Sequence, residues 1–117
     1  MELQSRRAAN AIVISPHGRL DQEHADSFKQ ALDPYLIECK AGGAPLVLDF
    51  SAVSYISSVG LRALMLAARQ VKAQGGRIVV AALTPIVREV FEISRFNLVY
   101  AVFADVDAAL TSLAGQA

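Results

Sequence analysis

Apolar and polar positions along this chain fall into blocks whose period changes, and each change marks an element. Residues 11–15 (AIVIS) are rich in β-branched side chains and predict the first secure strand, broken by Pro16, His17 and Gly18. Gly18-Arg19-Leu20-Asp21 then leads into a helix, with Asp21 suited to its N-cap. Ala25, Phe28, Leu32, Tyr35, Leu36 and Cys39 share a face of that helix. Pro34 should kink or split it, and Gly42-Gly43 stops it. Residues 46–50 are nearly all apolar, as suits a strand buried on both faces. A brief polar turn follows, and then Leu61, Leu64, Met65, Ala68 and Val71 recur at spacings of three and four. They form one stripe on a helix that starts near Ser57 and closes at Gly75-Gly76.

Residues 77–83 predict the next strand, so strand, helix and strand form a unit with parallel strands and a right-handed crossover. Thr84 offers a capping hydroxyl with Pro85 at the first helical position. Val87, Val90, Phe91 and either Ser94 or Ile93 make that helix's inner face. Residues 99–103 predict a last strand, and Asp105 caps a final helix built on Val106, Ala109, Leu110 and Leu113. Residues 1–10 are polar and fit a short edge strand or a frayed end. The expected fold is α/β: a mixed, mostly parallel sheet of four to five strands with about four helices, one domain over residues 1–117.

Composition narrows the function. Eleven basic residues balance eleven acidic ones and are scattered, so there is no electrostatic footprint for direct nucleic-acid binding. No apolar run approaches the roughly 20 residues of a membrane-spanning helix, so no membrane insertion is expected. A single cysteine excludes an internal disulfide and points to a reducing, cytoplasmic compartment. Glycine-rich nucleotide loops, a nucleophile elbow and metal-spaced Cys/His sets are missing, so neither an enzyme, a cofactor nor a metal is expected. His17 and His24 read as surface histidines and Cys39 as a buried, inert thiol.

That leaves two serines at a strand-to-helix junction. Serine is a preferred N-cap, which accounts well for Ser57 bonding the Gly60 amide and poorly for a second serine. Ser58, at the first helical position, projects outward near the carboxyl end of a strand, where open α/β sheets place their sites. A phosphate there adds about −1.5 to −2 charges at a helix N-terminus that tolerates anions. Arg62, one turn on, would screen it, and Asp21 and Asp49, if near, would repel it.

The run Asp49-Phe50-Ser51-Ala52-Val53-Ser54-Tyr55-Ile56-Ser57-Ser58-Val59-Gly60-Leu61 closely resembles the signature of the STAS domain of bacterial anti-sigma-factor antagonists. Gly18-Arg19-Leu20-Asp21, Gly75-Gly76, Thr84-Pro85-Ile86-Val87, and Phe103 with Ala108-Ala109-Leu110 resemble further parts of that family. The resemblance implies a non-catalytic role in partner switching. An unphosphorylated antagonist binds an anti-sigma factor that is also a serine kinase, phosphorylation of the motif serine releases it, and a PP2C-type phosphatase resets it. That serine matches Ser58, and Asp21, Ser57, Val59, Gly60 and Arg62 would flank the partner interface. A monomer or weak homodimer is expected. The same signature also occurs in non-switching subunits, such as one of a bacterial lipid-transport ATPase. This chain departs from the pattern at Ser57, where many relatives have aspartate, at Val59, where a smaller residue is usual, and at Arg95-Phe96, which replaces a common Gly-Leu pair.

Overall fold

Alternation within the strands splits their side chains between two faces of one sheet, and helices cover both faces. The computed structural model describes residues 3–115. Strands β1 (Gln4–Ala8), β2 (Ala11–Ser15), β4 (Leu46–Asp49), β6 (Ile78–Ala81) and β7 (Val102–Phe103) form a five-stranded sheet in the order β1-β2-β4-β6-β7. β1 runs antiparallel to β2 at one edge, and the other pairings are parallel. Two further strands, β3 (His17–Leu20) and β5 (Ala52–Ile56), pair in parallel as a separate two-stranded sheet.

On one face Ile14, Leu46, Leu48 and Val80 pack against α1 (Ala25–Glu38), α2 (Ser58–Ala73) and α3 (Pro85–Ile93), through Phe28, Leu32 and Leu36, Leu64 and Val71, and Val87 and Phe91. On the other face Ala11, Val13, Val47, Val79 and Ala81 meet Ala109 of α4 (Val106–Ala114). Leu64, with no exposed surface, contributes about 1.5–3 kcal/mol by burial. The expected mixed, mostly parallel sheet, four helices and parallel β4–β6 pair are all present.

Several local expectations are corrected. Residues 17–20 and the segment 52–56, read as a lead-in and a turn, are β3 and β5, because each completes the other's backbone hydrogen bonding across the fold. The N-cap of α1 is His24, without a side-chain cap. Asp21 instead sits one turn earlier and accepts the His24 amide at 3.2 Å. Pro34 neither splits nor ends α1, which runs continuously through it. Thr84 is the N-cap of α3 with Pro85 in its first turn, as expected, but its hydroxyl makes no capping bond and donates instead to the Val53 carbonyl at 2.9 Å. Ile93 lies outward, 77% exposed, and Ser94 is exposed too. The last strand shrinks to β7, because a 3-10 turn at Phe96–Leu98 and the buried Tyr100 occupy the segment before it. The Tyr100 hydroxyl donates to the Leu64 carbonyl at 2.7 Å, which satisfies the phenol inside the core.

Residues 1, 2, 116 and 117 lie outside the described residues. Among the described residues no helix is long and apolar enough to cross a membrane.

Candidate functional site

The site is built where β3 and β5 end. Both strands run parallel and deliver Leu20 and Ile56 side by side. Leu20 leads into the turn that carries Asp21, and Ile56 leads into α2. The Ser57 amide donates to the Leu20 carbonyl at 3.0 Å, which holds the two exits together. Ser57, extended at φ −97°, is the N-cap of α2, and its hydroxyl accepts the Gly60 amide at 3.3 Å. Ser57 therefore acts as its position predicts.

Gly60 is buried where α2 crosses Leu20. A Cβ at this position would lie 2.3 Å from the Leu20 oxygen and 2.8 Å from Ile56 Cγ1, so only glycine lets the helix seat so closely. Ser58 begins α2, is exposed, and makes no side-chain hydrogen bond among the described residues. Val59 is 38% exposed, a sizeable apolar side chain on the same rim. Arg62 is exposed one turn further on, with no ion pair among the described residues.

Asp21 follows Leu20 in the turn next to this junction, and its carboxylate is held by residues of its own segment. Its Oδ2 accepts from Arg19 Nε at 3.2 Å, and its Oδ1 lies 2.7 Å from His24 Nδ1. The His24 hydrogen bond, with a smaller contribution from Arg19, outweighs desolvation and keeps the Asp21 carboxyl below its usual 3.8. Arg19 also lies over the Tyr55 ring, 4.4 Å from its centroid, which ties β3 to β5 on the outer surface. Asp21 is therefore a partly compensated charge. Asp49 is occupied elsewhere, accepting from Ser15 and from the Ser51 amide.

Sequence reasoning placed Ser57 as the cap, the Gly60 amide as its donor and Ser58 at the first helical position, but missed Leu20, Arg19, Tyr55 and His24. The signal for Arg19 and Tyr55 is the two-residue alternation in strands too short to stand out alone. His24 was read as a plain surface residue, whereas it is partnered by Asp21. Cys39 is buried as expected, at the C-cap of α1, where it donates to the Arg77 carbonyl at 3.1 Å. Burial pushes its thiol up from 9.0, so it is protonated at neutral pH. No serine, threonine or cysteine is hydrogen-bonded to a histidine among the described residues.

Fold and site together define a class: a small α/β domain that presents an exposed serine at a helix start beside an acidic turn. The chain belongs to the STAS domain family, as residues 3–101 match the family model described as "Mlab, STAS domain". It is 32% identical over 109 residues to BtrV of Bordetella bronchiseptica, which bears the provisional name of an anti-sigma factor antagonist, covering 93% of this chain and 91% of BtrV. In fold it is similar to an anti-sigma-factor antagonist (STAS) domain protein from Planctomyces limnophilus, with a TM-score of 0.86 at 16% identity over 97% of this chain and 99% of that one. The anti-sigma factor antagonist SpoIIAA in its unphosphorylated form is similar too, with a TM-score of 0.75 at 22% identity over 97% of this chain and 96% of that one. Phosphorylated SpoIIAA of Bacillus gives 0.67 at 19% identity, over 95% and 98% of the two chains.

Proposed function

We propose that this protein is a phosphorylation-controlled anti-sigma factor antagonist. Unphosphorylated, it binds an anti-sigma factor that is also a serine kinase. The kinase transfers the γ-phosphoryl group of ATP to Ser58 Oγ, ADP leaves, and the modified antagonist is released. A PP2C-type phosphatase then hydrolyses the phosphoserine to serine and inorganic phosphate. The protein itself catalyses neither step.

The observation that carries this reading is the division of labour between the two serines. Ser57 is committed to the cap, whereas Ser58 is exposed and its hydroxyl has no partner among the described residues. A phosphate at the start of α2 meets the favourable end of the helix dipole, so it alters the recognition surface without unfolding the helix. The antagonist names of BtrV and SpoIIAA, and the existence of SpoIIAA in both phosphorylation states, support the same reading.

The test is incubation with the cognate anti-sigma kinase and ATP, read by mass spectrometry. Wild type and Ser57→Ala should gain one phosphate at Ser58, and Ser58→Ala none. Ser58→Asp should bind the anti-sigma factor at least tenfold more weakly, about 1.4 kcal/mol. Labelling of Ser58→Ala to the wild-type level overturns the site. Stable co-purification with a transport ATPase, unaltered by Ser58→Asp, would make the chain a non-switching subunit instead.

A further inference from the structure

α2 stands apart from the other helices in charge. It carries Arg62, Arg69 and Lys72 and no acidic residue. By contrast α1 sets Asp26, Asp33 and Glu38 against Lys29, α3 sets Glu89 and Glu92 against Arg88, and α4 has Asp107 alone. The chain as a whole is neutral, so this positive charge is local.

At about 100° per residue, Ser58, Arg62, Met65, Arg69 and Lys72 fall within about 40° of one line along the helix. Ser58 and all three cations are exposed, and Met65 is partly so. None of the three pairs with a carboxylate among the described residues. Beside this line runs a shallow groove of about 360 Å³, lined by Ser58, Leu61, Arg62, Leu66, Arg69 and Phe96. Leu66 is 44% exposed, an apolar contact between two free guanidinium groups.

A groove whose lining mixes leucine side chains with unpaired guanidiniums complements an amphipathic helix whose apolar stripe is bordered by carboxylates. Arginine suits this role because its fork binds a carboxylate through two parallel hydrogen bonds. We propose that the α2 stripe of Arg62, Arg69 and Lys72 docks an acidic amphipathic helix of a partner protein, and that Ser58 gates it. The gating half rests on Ser58 as a phosphorylation site, and the docking half does not. A phosphate on Ser58 lies one helical turn from Arg62, the spacing at which side chains meet. It would engage Arg62 and repel the incoming carboxylates, so one modification removes a docking cation and adds a like charge.

The test is a heteronuclear NMR titration of isotopically labelled protein with a synthetic amphipathic helical peptide, its leucine stripe flanked by glutamates. Two further probes are the same peptide with lysines replacing the glutamates, and phosphatidylserine vesicles. Amide shifts should centre on residues 58–72, and binding should weaken with added salt. Arg62→Glu/Arg69→Glu should lose at least tenfold in affinity, and Ser58→Asp at least threefold. Both arginines are exposed, so the double variant should keep the wild-type urea midpoint. If it does not, Arg62→Gln/Arg69→Gln must still lose at least threefold. Shifts on another surface, equal binding of the lysine peptide, or unchanged affinity in the folded arginine variants overturns the docking surface. Vesicle binding through these arginines without peptide binding also overturns it, and makes the stripe a membrane contact. Unchanged affinity of Ser58→Asp overturns the gating half alone. Failure of the kinase to label Ser58 would sink the proposed function while leaving the peptide result standing.

Discussion

The Leu20 carbonyl oxygen accepts the Ser57 amide at 3.0 Å and lies where a Cβ on Gly60 would stand, 2.3 Å away. One oxygen thus fixes both the start of α2 and the depth at which the helix is seated. The exposed position of Ser58 depends on it.

Gly60→Ala should therefore behave opposite to an ordinary helical site. In a free helix interior alanine is favoured over glycine by about 1 kcal/mol. Here the added methyl meets backbone, and overpacking of this kind costs about 1–3 kcal/mol. A lower urea midpoint with an unchanged m-value is expected. A stabilised variant would show that α2 does not approach Leu20 so closely.

The two serines should separate in stability before any partner is added. Ser57→Ala removes the cap and should cost about 1 kcal/mol. Ser58→Ala removes an exposed hydroxyl with no partner among the described residues and should change stability by less than about 0.5 kcal/mol. Urea denaturation of both variants checks this. Equal losses would mean that Ser58 shares the capping role and has no free hydroxyl to offer.

Arg95 follows α3 in the left-handed region, at φ 58° and ψ 31°. It is exposed, and no ion pair among the described residues holds it. A side chain in that conformation costs about 1–2 kcal/mol, and glycine avoids the cost while giving back about 0.5–1 kcal/mol as unfolded-state entropy. Arg95→Gly should stabilise the protein by up to about 1 kcal/mol, seen as a raised denaturation midpoint. A loss of stability would mean that the arginine side chain contributes more than its backbone strain costs.

The Asp21 carboxyl titrates below 3.8 because His24 and then Arg19 favour its charged form. A carboxyl depressed in the folded state contributes stability that is present above its unfolded pKa and lost as pH falls through its folded one. The Asp21 contribution should thus be complete above about pH 4 and disappear in more acid solution. A carbon-detected NMR titration reads this directly. His24→Ala should move the Asp21 midpoint up toward 3.8, and no movement would mean that the 2.7 Å contact does not carry the shift.

The elements that depend on near neighbours were legible in the chain. The β-branched run of β2, the apolar run of β4 and the three-four spacing of α2 each follow from local periodicity. The caps Ser57 and Asp105 bond amides three residues on, at Gly60 and Ala108, so their partners could be named from spacing alone. The expectation of Asp21 as a cap failed by one turn, because the nearer His24 amide and ring take its carboxylate. Thr84 is the N-cap as expected, but a distant acceptor, the Val53 carbonyl, takes the hydroxyl that was to make the capping bond.

The β3–β5 pair lay beyond such reading. Both segments are short, and Gly18, Arg19 and Ser54 give them little apolar pattern, so each is a strand only because the other supplies backbone partners. The same holds for the order β1-β2-β4-β6-β7, which no local spacing encodes. Local hydrogen bonds and side-chain periods are written within a few residues, and they determined the α/β class and put Ser57 and Ser58 at the start of a helix. Leu20 joined to Ser57, Gly60 pressed against a carbonyl and α2 left with one bare basic face needed the tertiary structure, because these contacts join residues far apart in the chain or depend on which face packing covers.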